Sequence, residues 1–138
     1  MPRIARLDEL NRIEAKSYST SDPTVTYTYD LAVNSIGQLY SVTNTNVTTT
    51  YNEYDVMGRV KSVTKTISGD QPRTTYTEYD LSGKVTYITY PDNFVVFNSY
   101  HPGTGLLDAV TGTEDGVNWL EYAKCSEYEP QLPLSDSR

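Results

Sequence analysis

The sequence has one histidine, His101, and one cysteine, Cys125. A single cysteine excludes an internal disulfide, and a single histidine excludes a cluster of histidine ligands around a metal ion. Any Ser-His-Asp or Cys-His pair would have to use His101, which stands where other parts of the chain carry a turn aspartate. We therefore predict no catalytic residues, no metal site, no cofactor and no enzymatic activity.

Basic residues and long apolar runs are also scarce. Lys and Arg number 11 against 18 Asp and Glu, which gives a net charge of −7. This balance argues against nucleic-acid binding, which needs a basic stripe. The longest apolar run, Phe94–Phe97, is too short to span a membrane, and the N-terminal residues lack the apolar segment of a signal peptide. We expect no membrane span, and export would depend on sequence outside this chain or on another route.

Large aliphatic residues are few, whereas tyrosine is abundant. Hydrophobic residues make up 37% of the chain, and 13 of the 138 residues are tyrosines. A conventional packed core would be thin with this composition. A wide sheet that carries tyrosines on its surface suits the numbers better, since aromatic residues favour a pleated, half-buried surface.

A short motif recurs along the chain. Tyr-Asp pairs begin at positions 29, 54 and 79, each 25 residues after the last, and a glycine follows each pair, at Gly37, Gly58 and Gly83. Weaker copies run from Leu7-Asp8 to Asn11 and from Tyr100-His101 to Gly105. Self-similarity at a period of 20 to 50 residues is typical of repeat architectures.

The spacing within the motif predicts a specific turn. Aspartate at the first position and glycine at the fourth, as in Asp55–Gly58 and Asp80–Gly83, favour a type I turn whose glycine has positive φ. Asn11 fills the glycine position in the first copy, and asparagine is the other residue that readily accepts this conformation. Between Asp30 and Gly37 the chain carries a four-residue insertion, which predicts a longer loop.

The segments between these turns are rich in Thr, Val and Tyr, which predicts strands. A second set of turn-forming residues returns the chain within each repeat. The predicted fold is all-β, with repeated antiparallel β-hairpins that form an extended, twisted meander sheet. Tyr51 and Tyr54 lie three residues apart, so either a bulge restores the register between them or both faces of the sheet are partly covered.

The two ends of the chain are less regular. Ile4, Leu7, Leu10 and Ile13 recur at helical spacing, but the register of the later copies favours a hairpin over residues 3–16. We place an array of about five repeats at residues 1–113, the first and last copies being degenerate. Residues 114–129 can hold one further strand, and the polar residues 130–138 are expected to be a disordered tail.

The motif resembles the YD repeats of the Rhs family, which includes bacterial toxin-complex proteins and the teneurins. The residues that carry the resemblance are Tyr54-Asp55-x-x-Gly58-Arg59 and Tyr79-Asp80-x-x-Gly83-Lys84, with Tyr29, Asp30 and Gly37 in a third copy. It covers residues 4 to 111. The resemblance implies that these residues have a structural role in a β-sheet that spirals into a hollow shell. The self-cleaving core segment of the family has no match here.

Two functions from different classes follow from these observations. The first is a non-enzymatic structural segment of an Rhs-type shell that encloses or presents a toxin or effector. Its partners would be further YD repeats of a larger protein, or a second copy through edge strands, and its location would be secreted or on the cell surface. The alternative is a module that binds carbohydrate or a cell-surface partner through the tyrosines of the sheet.

Overall fold

The computed structural model describes residues 3–125 as one sheet of 11 strands, each antiparallel to its neighbours in sequence. The described part of the chain contains no helix, so the predicted all-β meander is confirmed. The strands are β1 Arg3–Leu7, β2 Ile13–Tyr18, β3 Val25–Tyr29, β4 Leu39–Thr43, β5 Val47–Tyr54, β6 Val60–Ile67, β7 Arg73–Tyr79, β8 Val85–Thr89, β9 Val95–Tyr100, β10 Leu107–Thr113 and β11 Leu120–Lys124.

The turns alternate between two edges of the sheet because every strand is antiparallel to the next. The aspartate-containing turns of the repeat join β1 to β2, β3 to β4, β5 to β6 and β7 to β8, and the His101 turn joins β9 to β10. We call this row of turns, which lies at the ends of the strands and not along an outer strand, the aspartate edge. The first residues form a hairpin in which Arg3 pairs with Tyr18 and Arg6 with Ala15, which confirms the hairpin interpretation over the helical one.

The opposite edge, which we call the polar edge, is closed by turns of Asn, Ser, Gly and Asp. Asn44 Oδ1 accepts hydrogen bonds from the N–H groups of Asn46 and Val47, each at 2.8 Å. Gly69 and Asn93 have φ of 84° and 69°, the left-handed conformation that glycine and asparagine accept most readily. The composition of these three return turns is therefore explained by their backbone.

A bulge recurs beside the motif tyrosines. The register shifts between Thr28 and Tyr29, between Glu53 and Tyr54, and between Glu78 and Tyr79. An extra residue in one strand restores alignment after the turn and increases the local twist. The three-residue spacing of Tyr51 and Tyr54 is thus resolved in favour of a bulge, since the register shifts twice between them.

The sheet has almost no apolar core. Within the described residues Tyr54, at 4% exposure, is the one buried large hydrophobic residue. Hydroxyl and amide side chains join neighbouring strands instead: Thr28 with Ser41 at 2.7 Å, Thr64 with Thr74 at 2.8 Å, and Asn52 with Thr64 at 2.8 Å. Every buried side-chain nitrogen and oxygen in the described part of the chain has a hydrogen-bond partner.

The last described strand, β11, is exposed along its whole length. It begins at Leu120, so Val117 lies in the preceding turn, where Asp115 Oδ1 accepts hydrogen bonds from the N–H groups of Val117 and Asn118. The expected tail at 130–138 lies outside the described residues. Residues 3–125 include no helix long and apolar enough to cross a membrane.

Candidate functional site

The turn between β5 and β6 shows why the motif needs its aspartate and glycine. Asp55 Oδ1 accepts hydrogen bonds from the N–H groups of Met57 and Arg59, both at 2.9 Å. Asp55 Oδ2 accepts a bond from Arg59 Nε at 2.6 Å. The N–H of Gly58 donates to the Asp55 carbonyl at 2.9 Å, with a Gly58 φ of 77°. One side chain thus fixes the whole turn, and a residue without a β-carbon accepts the left-handed backbone.

Other copies repeat this geometry. Asp8 accepts bonds from the N–H groups of Leu10 and Arg12 and from Arg12 Nε, at 3.0, 2.8 and 2.7 Å. Asp80 accepts bonds from the N–H groups of Ser82 and Lys84, at 2.8 and 2.9 Å. The fourth residue of each turn has positive φ, and the values are 64° at Asn11, 77° at Gly58 and 88° at Gly83.

The turn at Asp30 departs from the others because of its insertion. Asp30 has φ of 65°, and its Oδ1 reaches across the loop to the N–H of Gly37 at 2.6 Å. The insertion folds back on the next repeat. The N–H of Tyr54 donates to the Val33 carbonyl at 3.1 Å, and Asn34 Nδ2 donates to the Tyr54 carbonyl at 3.2 Å. The loop thereby covers the backbone of Tyr54, which contributes to the burial of this residue compared with the half-buried Tyr79.

The His101 turn replaces the aspartate with an imidazole. Its Nδ1 accepts hydrogen bonds from the N–H groups of Gly103 and Thr104, each at 3.2 Å. The turn is one residue longer than the Asp55 turn, and Gly105 closes it with φ of 70°. His101 therefore takes the capping position of the aspartate in this copy.

The motif tyrosines join one repeat to the one before it. The hydroxyl of Tyr79 donates to the Val60 carbonyl at 2.8 Å, which crosses from the β7–β8 hairpin to the β5–β6 hairpin. Each acceptor lies two residues after the left-handed Asn or Gly of the preceding turn. The equivalent bonds are Tyr29 to Ile13 at 2.8 Å, Tyr54 to Leu39, and Tyr100 to Val85 at 2.7 Å.

A basic residue stacks on three of these rings. The Arg12 guanidinium lies 4.3 Å from the Tyr29 ring centre, and the Arg59 guanidinium lies 4.7 Å from that of Tyr79. Lys84 Nζ lies 5.0 Å from the Tyr100 ring centre. A cation over an aromatic face is attracted by the ring quadrupole. Each cation comes directly after the left-handed residue of its own turn and reaches the tyrosine of the next repeat.

The same basic residues also bind the following turn. Arg12 Nη1 donates to Asp30 Oδ2 at 2.8 Å, and Arg59 Nη1 donates to the Asp80 carbonyl at 3.2 Å. A β-carbon added at Gly58 would lie 2.9 Å from Nε2 of Gln38, which fills the basic position of the second copy. We refer to the tyrosines, turn aspartates and following Arg, Lys or Gln residues as the inter-repeat ladder.

Hydrogen bonds in the ladder lower the pKa values of its carboxyl groups. The Arg12 side chain and then the Gly37 N–H lower the pKa of Asp30. Partial burial opposes the shift at Asp55, but bonds from the backbone and side chain of Arg59 still lower the pKa of that carboxyl. The Ser82 hydroxyl lowers the pKa of Asp80, and the N–H of Lys84 adds to this effect.

These carboxylates are occupied by backbone N–H groups and guanidinium or hydroxyl partners, so their chemistry in this arrangement is hydrogen bonding. Residues 3–125 contain no group of three or more His, Cys, Asp or Glu residues placed to hold a metal ion. The ladder and the glycines that close its turns contain all the motif residues singled out in the sequence: Tyr29, Asp30, Gly37, Tyr54, Asp55, Gly58, Arg59, Tyr79, Asp80, Gly83 and Lys84.

Sequence reasoning missed two features. The first is the role of the residue after the left-handed position, although its recurrence as Arg12, Arg59 and Lys84 was a usable signal. The second is a row of aromatic rings on one face near the end of the sheet. Tyr87 and Phe97 have ring centres 4.7 Å apart, and Phe97 meets Trp119 edge to face at 6.4 Å.

The chain is similar to known proteins at the level of structure. No family model matches it, and no curated protein sequence matches it either. Solved structures do match. The TcdB2-TccC3-Cdc42 crystal structure superposes with a TM-score of 0.61 at 17% identity over 77% of this chain. The TcdB2-TccC3-TEV crystal structure gives 0.63 at 15% identity over 79%.

A Photorhabdus luminescens Tc holotoxin pore structure gives a TM-score of 0.63 at 16% identity over 85% of this chain. The chain spans only 6 to 7% of the length of these matched chains. At this level of identity the likeness concerns the fold alone. It shows that a similar array of antiparallel hairpins occurs as a segment of each matched chain.

Proposed function

We propose that this chain is a non-enzymatic structural segment of a toxin-associated β-repeat shell. The observation that carries the proposal is the inter-repeat ladder. Its tyrosine hydroxyls and guanidinium groups bind the neighbouring hairpin, and the Asp30 carboxylate binds Arg12 of the preceding hairpin. Contacts that only link neighbouring repeats are what a solenoid or wall requires.

Two further observations support this role. The fold is shared with a segment of a structure named as a Tc holotoxin pore. The sheet is also open, since β1 and β11 each pair with one neighbour among the described strands. An open edge is a template for further strands. We propose further YD repeats as the partners at these edges, a toxin or effector as the enclosed or presented cargo, and a secreted or cell-surface location.

A graft experiment tests the shell role. The matching segment of a toxin-complex shell protein is replaced by this chain, and protease resistance of the enclosed region is measured. We expect the wild-type graft to protect the enclosed region. A graft with Arg59→Met and Tyr79→Phe, which removes the ladder contacts between two repeats, should allow its digestion. Equal digestion of both grafts despite folded hairpins would overturn the proposal. A graft carrying Tyr76→Phe, whose ring lies outside the ladder, is the matched control.

The row of aromatic rings favours the alternative function, carbohydrate binding. Tyr76, 53% exposed, pairs with Thr89, which lies two residues after Tyr87 and therefore on the same face of the sheet. Tyr87 in turn pairs with Phe97, so the three rings share one face. Trp119 extends the row, and exposed rings of this kind can stack on the apolar faces of sugars. We propose sugar binding here as the second candidate.

A glycan array distinguishes the two functions. If the row binds sugar, the wild-type chain should retain specific glycans, and Tyr87→Ala with Trp119→Ala should abolish the signal. Tyr122→Ala removes an exposed ring that contacts Phe94 instead of this row, and it serves as the control. No retained glycan, or equal signals from all variants, would remove the candidate.

A further inference from the structure

Large apolar side chains concentrate at the tips of the aspartate edge. Seven of them have exposed fractions of 62% to 107%, and they lie in the turns that follow Asp8, Asp30, Asp55 and Asp80. We call this set the tip ridge; its residues are Leu10, Leu31, Val33, Ile36, Val56, Met57 and Leu81. On the polar edge the connections 19–24, 44–46 and 68–72 carry no Leu, Ile, Val, Met or Phe, and the connection 90–94 carries only the half-buried Phe94.

The backbone N–H groups of two ridge turns already have hydrogen-bond partners, so burial of these turns would not leave them unpaired. The N–H groups of Met57 and Gly58 are bound by Asp55, and that carboxylate is turned inward to Arg59. Asp80 pairs the N–H groups of Ser82 and Gly83 in the same way. Burying a polar group without a partner is costly, and in these two turns the exposed apolar side chains carry no such group. Glu9, beside Leu10, is an exposed charged side chain of the first turn.

The ridge is one continuous row. Successive turns of the edge are two strand spacings apart, about 9.6 Å, so the four turns extend over roughly 30 Å. The insertion fills the space between the second and third turns, since Val33 accepts a hydrogen bond from the N–H of Tyr54. The apolar tips from Leu31 to Ile36 therefore adjoin Val56 and Met57. Contiguous exposed apolar surface of this extent marks an interaction site.

We propose that the tip ridge is a self-association surface that binds the tip ridge of a second copy of this chain. Full burial of one apolar side chain removes roughly 60 to 120 Å² of surface from water, on the basis of 25 cal/mol per Å². Seven such side chains therefore remove about 400 to 800 Å² per copy. A standard interface buries about 800 Å² per partner. The upper end of the range for the ridge therefore reaches the size of a standard interface.

The period of the ridge also fits this partner. A second ridge has the same interval of about 9.6 Å, so its tips can face the tips of the first along the whole row. Around a two-fold axis the rows run in opposite directions. Leu10 of one copy then faces Leu81 of the other, and the insertion faces Val56 and Met57. The inference goes beyond the shell role and does not depend on it.

Charge variants at the two edges test the ridge. Sedimentation equilibrium compares the wild type with Val56→Glu/Leu81→Glu and with Thr45→Glu/Gln71→Glu, which adds the same charge at the polar edge. We expect a wild-type dimer that tightens with salt, because each copy carries a net charge of −7. The ridge variant should dimerise about tenfold more weakly or not at all, and the polar-edge variant like the wild type.

Circular dichroism checks that each variant keeps its sheet. Tyr122→Pro distinguishes association through the ridge from association through the outer strand β11, because proline blocks strand pairing at β11. A dimer that is lost with Tyr122→Pro but kept with Val56→Glu/Leu81→Glu would show association through edge strands and overturn the proposal. A wild-type chain that stays monomeric at high concentration and high salt would overturn it as well.

Discussion

The left-handed position of every aspartate-edge turn is constrained by its backbone, and at three of the five turns it is also constrained by a close contact. Its φ lies between 64° and 88° in the turns closed by Asn11, Gly37, Gly58, Gly83 and Gly105. At Gly58, Gly83 and Gly105 the missing β-carbon leaves room for the ladder residue of the preceding repeat, and a β-carbon at Gly83 would lie 3.2 Å from Arg59 Nη1. The backbone requirement was predictable from the Asn11 replacement, whereas the close approach joins residues distant in sequence and was not.

Gly58→Val should destabilise the sheet more than Gly58→Asn. Valine is strained at φ of 77° by about 1 to 3 kcal/mol, whereas asparagine accepts this conformation at a smaller cost. Urea unfolding curves of the two variants measure the difference. Both new side chains meet the flexible end of Gln38, so that contact is shared. Equal losses would contradict the conformational explanation.

Tyr79→Phe should lower the free energy of unfolding by about 0.5 to 1.5 kcal/mol, because the Val60 carbonyl loses its hydroxyl donor. Tyr76→Phe removes a hydroxyl from an exposed ring and is the control, with an expected change near zero. Urea midpoints of both variants provide the test. If Tyr76→Phe lowers the free energy of unfolding as much as Tyr79→Phe does, the hydrogen bond between repeats is not what stabilises this site.

At the scale of the hairpin, the inserted loop is an element in its own right. Ser35 is buried, its hydroxyl donates to the Ala32 carbonyl at 2.7 Å, and the loop binds both backbone groups of Tyr54. The sequence predicted a longer loop from the spacing of Asp30 and Gly37. It gave no sign of the docking, because no local pattern in residues 31–36 indicates contact with a strand of the next repeat.

Deletion of residues 31–34 would restore the Asp-x-x-Gly spacing as Asp30-Ser35-Ile36-Gly37. We expect the β3–β4 hairpin to persist with a short turn, while the amide of Tyr54 loses its acceptor at Val33 and exchanges faster with solvent. Hydrogen exchange followed by NMR resolves this amide. The amide of Tyr79, in a repeat without an insertion, is the internal control, and unchanged exchange at Tyr54 would contradict the docking.

Strands and turns were predictable because each depends on a few consecutive residues. Val47–Tyr54 and Val60–Ile67 follow from β-favouring residues around an Asp-x-x-Gly turn. The bulge before Tyr54 was one of two alternatives, since sequence alone does not fix the register. The stack of Arg59 on Tyr79 was not predicted, because it joins side chains on different hairpins.

At the scale of the whole molecule, the ladder takes over part of the role of a core. With Tyr54 as the one buried large hydrophobic residue among those described, little apolar area is removed from water inside the sheet. Cohesion between hairpins rests on strand pairing, on hydroxyl pairs such as Thr64 with Thr74, and on the ladder. Stability should therefore depend on the charge state of the aspartates that hold the turns.

Acid should destabilise the whole sheet. Four ladder carboxyls have pKa values lowered from 3.8: Asp8, Asp30, Asp55 and Asp80. The unfolded chain therefore binds protons at higher pH than the folded chain, so this contribution is complete above pH 3.8 and falls as the pH drops below it. Thermal melts between neutral pH and about pH 2 should show a steep loss of Tm in that window.

Asp55→Asn should lower Tm at neutral pH, because it removes a charged partner from Arg59. The same variant should show a shallower loss of Tm below pH 3.8, because one of the four titrating ladder carboxyls is gone. Asp22→Asn changes an aspartate of the polar edge, outside the ladder, and serves as the matched control. If Asp22→Asn flattened the acid profile as much as Asp55→Asn, acid unfolding would report the overall charge of the chain instead of the ladder.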